Sequence, residues 1–264
     1  MTDPPKIIRN NETLQSCYQQ LTKNDIICGR IRLHPSEEPL LTDLVERGIK
    51  LIPSGTTQVL SKSKVFQVRL LADFMPANTL AIYNQHDLLR ATSLYHQENI
   101  SKVILKLDRK NGGLGVHLFD NIESLYNMAG DRGFGFPFVI QPFMEKARDI
   151  RVIILNNYTE AYERNNPYNF RNNLHCGAQP KPFTLCKTQL DFCKKVMKRG
   201  AFPYAHLDLI LPAGETRECY LIEINLRGGL RGAQLTGSGY QQRTNKIHEM
   251  LLQKLLNKNT PSSK

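Results

Sequence analysis

His206-Leu207-Asp208-Leu209-Ile210 and Tyr220-Leu221-Ile222-Glu223-Ile224-Asn225 are two short apolar runs, and each carries oxygen-bearing side chains. Residues two apart on a strand point to the same face. Glu223 and Asn225 therefore share a face, and Asp208 on a neighbouring strand can join them. Three such groups make a site for a hard cation. Mg²⁺ suits sparse carboxylate sites, filling its remaining positions with water and substrate phosphates. The pair of strands predicts a nucleotide enzyme with Mg²⁺, or alternatively Mn²⁺, at Asp208, Glu223 and Asn225.

A second constellation is Lys106-Leu107-Asp108-Arg109-Lys110-Asn111-Gly112-Gly113-Leu114-Gly115. A lysine inside a strand aims its ammonium at one face. The glycines after it let backbone N–H groups approach phosphate oxygens with no Cβ in the way. The order differs from a P-loop, in which the lysine follows the glycines and a helix comes next. It differs from a dinucleotide fingerprint as well, because a strand follows. Taken alone, glycines between two strands are a plain hairpin.

Further along, Gln141-Pro142-Phe143-Met144-Glu145 reads as a strand end that can offer backbone groups to a base and Glu145 to a ribose hydroxyl. The plain alternative is a strand edge closed by proline. Asn169-Phe170-Arg171-Asn172-Asn173-Leu174-His175-Cys176-Gly177 places an arginine among amides, which suits oxyanion contacts or a simple polar turn. His175 has no identified partner and is assigned no catalytic role.

Composition narrows the class. The 264 residues suffice for one large or two small domains, and 41% hydrophobic with 22% charged content is ordinary for a globular chain. No apolar run approaches a membrane span, and the first residues lack a signal-peptide core. Cys17, Cys28, Cys176, Cys186, Cys193 and Cys219 are scattered without a CxxC, so they read as reduced thiols of a cytoplasmic protein. The net charge of +11 suits ATP and acidic substrates as well as nucleic acid. Lys and Arg are dispersed, and there is no aromatic-basic array of an RNA-binding sheet. Nucleic acid and membrane are not the expected partners.

Periodicity and breakers predict strands at 25–31, 49–52, 79–83, 102–107, 116–119, 138–143, 151–155, 207–211 and 220–224. They predict helices at 40–47, 63–74, 87–97, 183–198 and 244–256, with helix also possible over 14–21. The stretch 25–52 makes one strand–helix–strand unit, read as parallel.

The ordered set closely resembles the ATP-grasp superfamily, in its branch of ribosomal-protein glutamate ligases and related carboxylate–amine ligases. The residues that carry the resemblance are Ser63-Lys64 with Leu70-Leu71, Val103–Lys106 with Gly113–Val116, Gln141–Glu145, Asp149-Ile150-Arg151, Phe170–Gly177 and Glu223–Asn225. It spans about residues 25–240. It implies an α+β, α/β architecture in which two α+β subdomains grip ATP. A shortened α/β subdomain (1–62) precedes a small subdomain with the glycine-rich lid (63–144) and a large one with the metal site (145–264).

By the same resemblance, Lys64 and Lys106 bind ATP phosphates, and Gly112, Gly113 and Gly115 belong to the lid. Gln141, Pro142, Phe143 and Met144 form the adenine hinge. Glu145 meets the ribose, and Asp149 joins the nucleotide set. Asp208, Glu223 and Asn225 hold Mg²⁺, while Arg171 and Asn173 touch the γ-phosphate or the intermediate. The implied reaction is an amide ligation through an acylphosphate. Its partners are ATP, a carboxylate and an amine (amino acid, peptide or protein tail, with glutamate as one example), and a homo-oligomer is compatible. Relatives follow the Glu-x-Asn strand with small residues and a Pro-Gly turn. Here Leu226-Arg227-Gly228-Gly229-Leu230-Arg231-Gly232 follows, so Arg227 and Arg231, with Arg151, are candidates for an acidic substrate group or for phosphate. A phosphotransferase or nucleotide-binding regulator, and a basic RNA- or ribosome-binding protein, are the alternative functions.

Overall fold

The structure, a computed structural model, describes residues 4–259 apart from 111, 133, 134, 173, 175, 176, 215 and 216. The chain begins with β1 (Ile7–Ile8), α1 (Asn11–Cys17), β2 (Ile26–Cys28), α2 (Pro39–Glu46) and β3 (Lys50–Ile52). The three strands form a parallel sheet in the order β1-β2-β3. Leu14, Leu41, Leu44 and Ile49 fill its core. The expected strand–helix–strand unit is present. It gains β1, whose two residues are too short for periodicity to reveal. Gly48, at φ +80, ends the α2 segment in the left-handed region that favours glycine.

Next come α3 (Gly55–Leu60) and α4 (Lys64–Leu71). The Ser63 side chain accepts from the Phe66 amide and starts α4. The second sheet is built from β4 (Leu80–Ile82), α5 (Gln85–Gln97), β5 (Val103–Leu107), β6 (Val116–Phe119), α6 (Ile122–Arg132) and β7 (Phe138–Pro142). Its order is β4-β7-β5-β6, antiparallel throughout. Alternation along β5 sorts the side chains. Val103 and Leu105 pack with Leu88, Tyr95, Ile122 and Leu125 from the two helices. Ile104 and Lys106 look the other way, into a cleft.

The third sheet comprises β8 (Arg148–Leu155), β9 (Tyr158–Asn165), β10 (Gln179–Pro182), β11 (Tyr204–Leu211) and β12 (Tyr220–Asn225), in the antiparallel order β10-β9-β8-β11-β12. It is accompanied by α7 (Lys187–Arg199) and α8 (Gly237–Asn259). The expected start of α7 at residue 183 moves to Lys187, because the Gln189 side chain accepts from the Cys186 amide and caps the helix there. β9 is absent from the sequence-based set because Glu160, Glu163 and Arg164 break its apolar rhythm. Tertiary pairing satisfies two of those charges: Glu163 accepts from Arg148 at 2.7 Å and Arg164 donates to Asp149 at 2.7 Å. α8 buries Leu252 against Ile26, Cys28 and Ile52 of the first sheet. Among the described residues, no helix is long and apolar enough to cross a membrane.

Two ties fix the sheets around α4. Asp108, at the end of β5, accepts from the Ser63 hydroxyl and the Val65 amide at 3.1 Å. Gln67 is fully buried. Its amide donates to the Leu60 and Ile224 carbonyls at 2.8 Å and accepts from the Ile224 amide at 3.1 Å. A buried side-chain amide satisfied in this way specifies one placement, because every alternative leaves polar atoms unpaired. α4 is thereby bolted to β12 on one side and to the β5–β6 hairpin on the other.

Candidate active site

The cleft between the second and third sheets has a volume of about 950 Å³. It gathers Lys64, Lys106, Gly112, Gly113, Gln141, Pro142, Phe143, Met144, Asp149, Arg151, Arg171, Asp208, Glu223, Asn225, Arg227 and Arg231 along its walls. Gly115 lies at the foot of the hairpin. An added Cβ there would come within 2.6 Å of the Lys110 Cβ and 2.9 Å of the Leu107 Cβ, so the turn itself requires glycine. Glu145 stands outside the lining, exposed and paired with Lys102 at 2.7 Å. Asn173, His175 and Cys176 lie outside the described residues.

Lys64 is the first residue of α4. Its ammonium donates to the Lys110 carbonyl at 2.6 Å and stands 3.5 Å from the Glu223 carboxylate. Lys106 is buried on the cleft face of β5, and burial pushes its pKa down to about 8, with Glu223 opposing the shift and Lys64 adding to it. Two ammonium groups therefore meet one carboxylate beneath the glycine hairpin. The hairpin is tied across the molecule by Arg109, which pairs with Glu38 through both terminal guanidinium nitrogens. Arg171 donates to the Val116 carbonyl at 2.8 Å and lies over the Phe170 ring at 4.4 Å, so the loop after β9 touches the hairpin strand.

The three residues expected to hold a metal, Asp208, Glu223 and Asn225, sit on β11 and β12. Asp208 pairs in register with Glu223, and His206 with Asn225. The ladder then shifts, so that Leu209 pairs with Leu221 and Ile222 is the extra residue of a β-bulge. Without the bulge, Leu221 would share a face with Glu223. With it, Leu221 and Ile224 enter the core while Glu223 and Asn225 stay in the cleft.

Burial alone would raise the Asp208 pKa. The Arg151 and Arg164 guanidiniums outweigh it and hold the carboxyl well below the usual range. Arg151 reaches both Asp208 oxygens, Oδ2 at 2.9 Å, and Arg164 lies 3.3 Å from that same Oδ2. Asp149 closes the network on Arg164. Two carboxylates and two guanidiniums are thus paired in the floor of the cleft.

This donor set fits Mg²⁺. It offers two carboxylates and an amide rather than a closed protein cage, and among the described residues no group of three His, Cys, Asp or Glu could hold a metal by itself. An ion here would take its other positions from phosphate and water, which is the mode Mg²⁺ favours. The Asp208 oxygens accept from arginines and keep lone pairs for an ion.

Several lining residues are not among the expected site residues. Ile104 and Val116 from the second sheet and Ile210 and Ile222 from the third supply apolar surface. These are ordinary core-type residues in sequence, and only the meeting of two sheets makes them cleft walls. Arg30 and Lys62 reach the same cleft from the N-terminal part. Isolated basic residues have no periodicity to betray them.

The model of the RimK-like ATP-grasp domain matches residues 57–247. The glutathione synthetase of Agrobacterium fabrum (strain C58 / ATCC 33970) is 27% identical over 177 residues, covering 63% of this chain and 51% of that protein. The chain therefore spans about half the length of that curated relative. The crystal structure of the D-cycloserine synthetase DcsG superposes with a TM-score of 0.64 at 12% identity, over 93% of this chain and 99% of that one. The D-alanine–D-alanine ligase of Bacillus anthracis, solved with ATP, gives 0.64 at 13% identity over 93% and 85%. The fold is ATP-grasp, and the chain belongs to the RimK-like ATP-grasp family.

Proposed function

We propose that the protein is an ATP- and Mg²⁺-dependent carboxylate–amine ligase of the cytoplasm. Residues 1–62, 63–144 and 145–264 would be its N-terminal, small and large subdomains. The observation that carries this reading is the meeting of Lys64 and Lys106 with Glu223 and Asp208 in one cleft under a glycine hairpin. ATP-grasp ligases in general use ATP and Mg²⁺ and join a carboxylate to an amine.

In the proposed reaction a substrate carboxylate oxygen attacks the γ-phosphorus and the bond to ADP breaks, giving an acylphosphate. The amine then attacks the acyl carbon, a C–N bond forms, phosphate leaves and the ammonium proton is lost. The chain's own part is to position groups and neutralise charge, and no protein nucleophile is needed. Lys64 and Lys106 would hold the phosphates, with Gly112 and Gly113 closing over them. Gln141 to Met144 would seat the base between the apolar walls. Arg151 and Arg171, with Asn173, would face the transferring phosphoryl group. Mg²⁺ at Asp208, Glu223 and Asn225 would neutralise the developing charge.

Phosphate release is expected only when Mg²⁺-ATP, a carboxylate and an amine are all present. The first screen pairs amino acids, glutamate foremost, with short acidic peptides. Release that ignores the amine would point to a phosphotransferase, and ATP binding without stimulated release to a regulator.

Lys106→Met is expected to weaken ATP binding by about tenfold or more, since a charge-assisted hydrogen bond contributes roughly 1.5–3 kcal/mol. Because Lys106 titrates near 8 in the free protein, its charge is present below that pH and lost above it. Wild-type affinity should therefore fall as pH rises through 8, and that slope should vanish in the variant. Calorimetry across pH 6.5–9.5 checks both; unchanged affinity in Lys106→Met would leave the hairpin as only a hairpin.

A further inference from the structure

Many cations line the cleft, and several are already engaged: Lys62 and Arg171, for example, donate to backbone carbonyls. Lys64, Arg109, Arg151 and Arg164 each have a carboxylate partner. Arg30, just past β2, and Arg227, just past β12, have no ion pair or hydrogen bond with a described residue, yet both line the cleft and are exposed to it. We propose that Arg30 and Arg227 form a second anion site in the cleft, which takes an acidic group of the substrate other than the carboxylate that reacts.

The surroundings support the assignment. Leu226 holds the start of the Arg227 loop in place: its amide donates to the Ser61 hydroxyl at 2.8 Å and its carbonyl accepts from the buried Tyr240 hydroxyl. The Arg30 segment is fixed as well, for the Ile31 amide donates to the buried Gln58 side chain at 2.6 Å. The two segments meet at Ser61-Lys62, where the Ser61 hydroxyl accepts from the Leu226 amide at 2.8 Å and the Lys62 ammonium donates to the Ile31 carbonyl at 3.4 Å. Desolvation in the cleft lowers the Arg30 pKa and Arg227 lowers it further, as two neighbouring guanidiniums that repel each other would. The opposing groups acting on Arg30 are the phenols of Tyr204 and Tyr240, which are neutral at ordinary pH. An anion between the arginines removes that repulsion.

His206 is the second observation. It is almost wholly buried, and neither ring nitrogen has a hydrogen-bond partner. Its Nδ1 and the Arg151 Nη1 both lie 2.7 Å from where a Cβ on Gly228 would stand. A polar wall therefore backs the Arg227-Gly228 loop, and only glycine lets the backbone lie against it. The acidic group acting on His206 is Asp208, which Arg151 and Arg164 already engage.

Naming the anion as a substrate group rests on the ligase reading; the site itself does not. The test compares two probes of one shape, glutarate and its monoamide, by calorimetry on the full chain with Mg²⁺ and a non-hydrolysable ATP analogue. Glutarate is expected to bind about tenfold more tightly, the ratio that one charge-assisted contact gives. That ratio should collapse below threefold in Arg30→Gln and in Arg227→Gln, with circular dichroism unchanged. Equal affinity of the two probes, a ratio that survives the double variant, or no glutarate binding at all overturns the proposal. Phosphate release separates the two readings. A charge preference without any productive carboxylate–amine pair keeps the anion site and removes the ligase. Productive pairs without the preference do the reverse.

Discussion

Glu223→Ala is expected to reduce ATP turnover about a thousandfold, or ~4 kcal/mol of transition-state stabilisation, with the fold intact. The side chain has three tasks in one place. It would be a Mg²⁺ ligand, it lies 3.5 Å from the Lys64 ammonium, and it opposes the downward shift of Lys106. Its removal leaves Lys64 and Lys106 facing each other with less compensation, so the Lys106 pKa falls further below 8 and its charge is partly lost at neutral pH. Glu223→Gln keeps the volume and one oxygen and should recover only part of the loss. The fold should survive, because the residue faces the cleft while Leu221 and Ile224 carry the core packing of β12. Steady-state ADP formation with a thermal melt alongside checks this. Turnover like wild type would remove Glu223 from the metal set.

Asp208→Asn should cost roughly 3–5 kcal/mol of stability, as breaking a buried ion pair from one side leaves charge uncompensated. Arg151 and Arg164 both lean on this carboxylate and are themselves poorly exposed. The pH dependence has a defined sign. The folded-state pKa of Asp208 is depressed, so its contribution is complete above the unfolded value near 3.9 and is lost as pH falls towards the folded one. The gap between wild type and variant should stay constant from pH 7 to 5 and narrow below about pH 4. Urea unfolding at several pH values measures it. A loss under about 1 kcal/mol would show that the arginines find other partners.

Much of the chemistry is legible in residue order. The glycine run after Lys106, the Gln141–Glu145 segment and the Glu223-x-Asn225 pair are local patterns, and all three reach the same cleft, with Glu145 alone of its segment standing outside the lining. Other contributions are invisible locally. Glu145 has the residue type for a ribose contact, yet Lys102, just before β5, engages it, and Glu145 is not among the cleft-lining residues. β9 reads as polar in sequence because the partners of Glu163 and Arg164 lie a strand away. Arg30 is an unremarkable basic residue until β2 and β12 bring it near Arg227.

What the sequence determines by itself is most of the strands and helices, since periodicity and caps act within a few residues, and the oxygen and cation chemistry those elements carry. What the tertiary structure decides is which way each group faces and what pairs with it. The bulge at Ile222 is the clearest instance. A strict period of two puts Leu221 and Glu223 on one face; the core demands Leu221, the cleft demands Glu223, and one unpaired residue in the ladder satisfies both. That requirement arises from packing β12 against β11, a contact between segments separate in the chain, so no local pattern encodes it.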